Sequence, residues 1–171
     1  VWIWLTGGLH LDGVADCGDG LLVSAKPEKR LEILKDSRLG TFGTMTLVLH
    51  LLLRFVLLIS IPDELRFFAL LLSPAIGRIT LVLAAIQPSA RPGGLGYTFK
   101  SSLPRWQILI PALLTPILLP LVFVGWASIP VLILPILTMI IIMRFANKQL
   151  GGSTGDVLGL VTEFAENAVL L

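Results

Sequence analysis

Long apolar runs alternate with short polar loops along this chain. Four runs approach the roughly 20 apolar residues that cross a bilayer. They cover Thr44 to Ile61, Leu65 to Ile86, Gln107 to Val124 and Ile129 to Ala146. A fifth apolar helix is predicted from Asp156 to Leu171, and VWIWL at the start reads as the end of an earlier one. Prolines at 111, 116, 120, 130 and 135 fall inside the third and fourth runs. In a membrane, neighbouring helices can satisfy the carbonyls that proline frees, so kinks are expected rather than breaks. The pattern predicts an all-α, polytopic integral membrane helical bundle. No repeat or low-complexity linker divides it, so residues 1–171 read as one domain.

Composition strengthens that reading. Hydrophobic residues make up 55% of the chain and charged residues 14%, against about 25% charged in soluble domains. The first apolar run lacks the basic start and cleavage site of a signal peptide. The chain opens and closes in apolar sequence without an initial Met. A domain truncated at its N-terminus is expected, and the same reading is open at its C-terminus. A single cysteine, Cys17, excludes an internal disulfide and a multi-cysteine metal site. A net charge of +2 gives no case for nucleic acid.

The position of the charges says more. Loops 21–42, 87–106 and 144–155 hold ten Lys and Arg, and the turn 62–66 holds one. Counting four spans places those three loops on one side, and the positive-inside rule makes that side cytoplasmic. GGLHLDGVADCGDG and GGSTGD fall on the same face.

Asp12, Asp16 and Asp19 are spaced i, i+4, i+7, which puts them on one face of a helix. Like charges so placed repel. A hard cation such as Mg²⁺ removes the cost, binding one or two carboxylates and taking further ligands from water and phosphate. Gly13, Gly18 and Gly20 would let a phosphate approach the backbone. His10 lies nearly opposite Asp12 if the helix is continuous, and joins the site only if the helix starts after it. A second acidic group follows in GGSTGDVLGLVTEFAEN. Asp156, Glu163 and Glu166 share one broad helix face. Ser153 and Asp156 have capping-box spacing, so Asp156 has capping as a competing explanation. Glu163 and Glu166 lie deeper and need a cation, a basic partner or a water-filled cavity.

KPEKRLEILK predicts a short helix from Pro27 with a mostly solvated charged face. DSRLGTFG is a compact turn whose donors suit an anion, and Arg38 offers a bidentate fork for phosphate. QPSARPGGLG repeats the theme with Arg91, Gly93, Gly94 and Gly96, without a P-loop pattern. Arg54 and Arg78 lie within spans and want an acidic partner or a phosphate. His50, one turn before Arg54, reads as a structural or cavity histidine. No Ser/His/Asp or Cys/His set supports a covalent mechanism. Carboxylates for Mg²⁺ and arginines for phosphates together predict phosphoryl or nucleotidyl transfer.

GGLHLDGVADCGDG, followed by RLEILKDSRLGTFG, SPAIGR, ARPGGLGYTF and GGSTGDVLGLVTEFAE, closely resembles the cobalamin synthase family (adenosylcobinamide-GDP ribazoletransferase). The resemblance covers nearly the whole chain. It implies a Mg²⁺-dependent transferase of cobalamin biosynthesis, with residues 1–171 as its transmembrane catalytic domain, multi-pass in the inner (plasma) membrane. It implies transfer of α-ribazole, or its 5′-phosphate, onto adenosylcobinamide-GDP with release of GMP. On that basis Asp12, Asp16, Asp19, Asp156 and Glu163 are expected to bind metal. Asp19 or His10 would take the hydroxyl proton. Arg38, Arg78, Arg91 and Gly94 would bind substrate. Two rivals stand beside it. A CDP-alcohol phosphotransferase shares the DxxDG element but needs later aspartates that do not fit. A cation transporter leaves DSRLGTFG and ARPGGLG without a task.

Overall fold

The computed structural model describes residues 2–104, 106, 110, 114, 116–118, 120–121 and 125–171. Among them are eight α-helices: α1 Trp2–Leu5, α2 Leu9–Leu22, α3 Pro27–Ile33, α4 Thr41–Ser60, α5 Asp63–Ala85, α6 Leu95–Ser102, α7 Ile129–Leu150 and α8 Gly155–Leu170. The described residues hold no strand, only an isolated parallel bridge between Ser89 and Ser153. The all-α membrane bundle expected from the sequence is the fold observed.

Helices α4, α5 and α7 have 20, 23 and 22 residues and are apolar enough to cross a membrane. At 1.5 Å per residue they reach about 30–35 Å, matching a hydrocarbon layer of about 30 Å. Most of their surface faces outward, including Leu49, Leu52, Phe55 and Ile59 on α4 and Phe67 and Leu71 on α5. Lipid is the environment that accepts such a surface. The predicted run 107–124 lies largely outside the described residues.

Helix α8 differs. It is buried from Val157 to Leu170 except at Phe164. It is the central helix of the bundle, and α2, α4, α5 and α7 all pack on it. Val14, Cys17, Ala84, Met143, Val157 and Val161 form part of the principal apolar cluster. Leu57, Ile61 and Leu170 close the far end.

Some boundaries move. Helix α7 continues past Ala146 and stops at Gly151, whose φ of 77° is the left-handed conformation that ends helices. Pro130 sits in its first turn, where a missing N–H costs nothing. Pro135 lies inside α7, and Pro74, which the span reading passed over, lies inside α5.

The glycines of α2 serve packing. A Cβ on Gly13 would stand 2.6 Å from the Asp156 carbonyl oxygen, and one on Gly18 2.6 Å from Thr46 Oγ1. A Cβ on Gly20 would meet Leu34. From the other side, a Cβ on Gly159 would stand 3.1 Å from the His10 carbonyl oxygen. Helices α2 and α8 therefore cross backbone to backbone, as small residues allow in membranes. The approach expected of a phosphate is made here by helices.

One end of the bundle gathers the polar loops. Asp19 of α2 binds the start of α4. Ser153, just before α8, donates its N–H to the Pro88 carbonyl, and its own carbonyl accepts from Ala90 N–H. The loops counted as basic thus share one end, as their alternation predicted.

Candidate functional site

Gly13 lets α2 touch the first turn of α8, and that contact brings two acidic groups together. The Asp16 carboxyl is pushed up to about 7, by burial first and then by Asp12, Asp156 and Asp19. Asp156 is likewise raised by burial, opposed by its bond to Thr154 and by the charge of Arg91. Thr154 is the helix cap: its Oγ1 accepts from Val157 N–H at 3.3 Å and donates to Asp156 Oδ2 at 3.3 Å. The Ser153–Asp156 capping box does not form, because Ser153 is engaged in the bridge to Ser89. Asp156 instead accepts the Thr154 hydroxyl.

Among the described residues, no three His, Cys, Asp or Glu side chains stand close enough to hold a metal by themselves. The site still fits Mg²⁺ in its chemistry. Its donors are carboxylate oxygens, and the mutual repulsion at Asp16 is a charge excess that a cation relieves. Mg²⁺ characteristically keeps waters and binds one or two carboxylates plus substrate phosphates. An open site of that kind needs no closed protein cage.

Asp19 has another task. Its Oδ2 accepts from Gly40 N–H at 2.7 Å and its Oδ1 from Gly43 N–H at 2.8 Å. A carboxylate at the start of α4 satisfies orphan donors and meets the positive end of the helix dipole. The turn DSRLGTFG does bind an anion, and the anion is Asp19. Both oxygens expected at a metal or a proton are held by backbone. Arg38, from the same turn, is exposed and paired with Asp36 at 2.6 Å. Its guanidinium holds the Asp36 carboxyl down at about 2.

Arg91 and Gly94 do come to the site. With Ser89, Thr98, Thr154 and Asp156 they border a polar cavity of about 300 Å³. Gly94 caps the start of α6, and Leu95 and Gly96 of its first turn border the same space.

Glu163 and Glu166 belong elsewhere. Glu163 lies seven residues below Asp156, about 10 Å along α8. Its Oε2 is 3.0 Å from His50 Nε2 and 2.9 Å from Arg54 Nη1. Arg54 also reaches Glu166 Oε2 at 3.1 Å and donates to Asn167 Oδ1 at 2.8 Å and the Glu163 carbonyl at 3.0 Å. Arg78 Nη1 bonds Glu166 Oε1. Glu163, expected as a metal ligand, is thus one member of a buried ion network, and Arg78, expected at substrate, is its outermost cation. Of the partners offered for this acidic stripe, the basic one is correct. His50 is structural, as read.

His10 lies inside α2, since that helix starts at Leu9. It is therefore off the face of α2 that carries Asp12, yet it borders the same cavity as Asp12 and Asp156. Its buried Nδ1 has no hydrogen-bond partner among the described residues. Burial first, then the charge of Arg78, hold its imidazole below the ordinary range. It stands between the aspartates and the ion network.

Sequence reasoning missed Arg30. This side chain, assigned to a solvated face, is 7% exposed. Its Nη1 donates to the carbonyls of Gly20 at 3.0 Å and Leu21 at 2.6 Å, and its Nε to Ala25 at 2.9 Å. The signal was available: the last turn of α2 contains no basic residue, and its orphan carbonyls needed donors from outside.

Fold and site together define an all-helical membrane protein with an acidic, arginine-flanked chamber at one end. The chain belongs to the cobalamin-5-phosphate synthase family, which it matches over residues 1–171. A Pseudomonas fluorescens (strain Pf-5) protein named adenosylcobinamide-GDP ribazoletransferase is 40% identical over 175 residues, covering 99% of this chain and 70% of the relative. One from Caldanaerobacter subterraneus subsp. tengcongensis with the same name is 40% identical, covering 95% of this chain and 66% of the relative. No solved structure matches the chain. The CDP-alcohol and transporter readings give way to this membership.

Proposed function

We propose that this protein transfers α-ribazole, or its 5′-phosphate, onto adenosylcobinamide-GDP, the last assembly step of the cobalamin nucleotide loop. The observation that carries the reading is Asp156. It stands beside Asp12 and Asp16 on one side and borders the Arg91–Gly94 cavity on the other. Metal affinity and phosphate affinity are thereby adjacent, as phosphoryl transfer requires.

Asp156 with one of Asp12 and Asp16 would hold Mg²⁺, water and the substrate phosphate completing its shell. When bound, the ion neutralises charge growing on the phosphoryl oxygens. Arg91 and the backbone N–H groups at the start of α6 orient the diphosphate of the donor. The ribazole hydroxyl oxygen bonds to the phosphorus attached to the cobinamide arm. The bond from that phosphorus to the GMP oxygen breaks, and GMP leaves. His10, which borders a cavity with Asp12 and Asp156, takes the hydroxyl proton. Asp19 and Arg30 act earlier in the chain of causes: one ties α2 to α4, the other fixes the last turn of α2. The excess of Lys and Arg in the loops at this end supports a cytoplasmic orientation of the site in the cell's inner membrane.

The test supplies the full-length protein, in detergent or membranes, with adenosylcobinamide-GDP, α-ribazole and Mg²⁺, and follows GMP and cobalamin by chromatography. Product is expected, abolished by EDTA and reduced about a hundredfold or more by Asp16→Asn, the scale of losing a catalytic electrostatic group. Folded protein that yields no GMP with either ribazole or its phosphate would sink the reading.

A further inference from the structure

We propose that a second cavity beside Asp156 is the acceptor subsite and takes the apolar heterocyclic base of the ribazole. This rests on the ribazole-transfer reading above. The cavity is about 230 Å³ and is walled by Leu9, Leu81, Leu95, Phe99 and Leu158. His10, Asp12 and Asp156 border it as well. It is a slot with an apolar body and a polar rim, the usual form of a small-molecule site.

The two cavities are neighbours of opposite character. Leu95, Gly96, Gly155 and Asp156 border both. The partition is thin because it is built from glycine: a Cβ on Gly96 would stand 3.0 Å from Gly155 N, and one on Gly155 3.2 Å from Leu95 Cβ. On one side are Arg91, Ser89, Thr98 and backbone donors. On the other are four leucines and a phenylalanine. In-line transfer needs its two reactants to approach one phosphorus from opposite sides. The arrangement supplies that, with Asp156 at the meeting point.

The walls also choose between the available groups. Guanine carries donors and acceptors around its edge, and leaving them unpaired in an apolar slot costs binding. A corrin ring is too large for 230 Å³. A benzimidazole-type base is flat, bicyclic and largely apolar at its edge, so it loses little by entering. The attached ribose then lies toward the polar rim, which His10, Asp12 and Asp156 form.

Two variants test this in the full-length protein in detergent. Leu81→Trp fills the slot and Phe99→Ala opens it. Calorimetric titration with α-ribazole alone, and separately with GDP and Mg²⁺, reads each subsite without turnover. Leu81→Trp is expected to weaken α-ribazole about tenfold or more, and Phe99→Ala severalfold, the scale of small volume changes in an apolar pocket. GDP binding should stay within about twofold, which also reports that each variant is folded. If GDP affinity falls while α-ribazole affinity holds, the subsites are reversed. If folded variants bind α-ribazole like the parent, the slot is not its site. Because the readout is binding, these outcomes stand even if the parent makes no GMP, the result that would defeat the transfer reading itself.

Discussion

Two acidic groups, about two helical turns apart on α8, meet opposite fates. At the loop end, Asp16 faces Asp12, Asp156 and Asp19, and its carboxyl is driven up by burial and by those like charges. Deeper in, Glu163 and Glu166 face Arg54, Arg78 and His50. The second group is complete within the protein. The first keeps a charge excess at Asp16, where burial and three neighbouring carboxylates act in the same direction. Acidity near a membrane is thus not one signal but two. What separates them is whether a cation is already supplied by a neighbouring helix.

The largest effect that would break this contrast comes from Arg54→Met. It strands Glu163 and Glu166 with fewer cations, and breaking a buried ion pair costs about 3–5 kcal/mol. Thermal unfolding in detergent should show the loss whether or not Mg²⁺ is present. An unchanged midpoint would mean the network is idle. Next, Glu163→Gln and Asp16→Asn should part company. Asp16→Asn should remove the stabilisation conferred by Mg²⁺ and leave the metal-free midpoint the same or higher, since a repulsion is gone. Glu163→Gln should lower the metal-free midpoint and keep the Mg²⁺ response. Equal Mg²⁺ responses in the two would merge the groups again.

The smallest effect is a pH dependence. The Asp16 carboxyl moves from 3.8 to about 7 on folding, so its protonated form is favoured in the metal-free protein. Stability from this group is full below 3.8 and is lost as pH rises through 7. Mg²⁺ must displace that proton, so its affinity should fall by up to about tenfold per pH unit below 7. Titration with Mg²⁺ across pH 6 to 8, about a unit either side, would show the slope in the parent and not in Asp16→Asn.

Three of the four predicted spans were legible, because twenty apolar residues have few other uses, and the short helix from Pro27 announced itself. The acidic face was legible too, as a helical spacing. Which acids remain free was not. Asp19 looks like its neighbours at i, i+4, i+7, yet α4 takes it through Gly40 and Gly43, more than twenty residues away. Glu163 looks like a deeper member of the Asp156 stripe, and its partners stand on α4, 113 residues earlier for His50. Periodicity shows which residues share a face of one helix. It does not show which helix faces them. Arg30 fails the other way: a charged residue in a charged segment, buried because the preceding helix needed its donors.

The Arg54 network also sets an order of events in biogenesis. Arg54 enters the membrane with α4, but Asn167 follows it by 113 residues and the Glu163 carbonyl by 109. At about 5–20 residues per second, synthesis leaves it waiting for roughly 5–20 s. During that time α4 carries an arginine worth about 2.5–3.5 kcal/mol against insertion at a helix centre. Helix α8 is the one that releases α4 from that cost, so a ribosome that stalls before α8 would leave behind a span poised to slip back out of the bilayer.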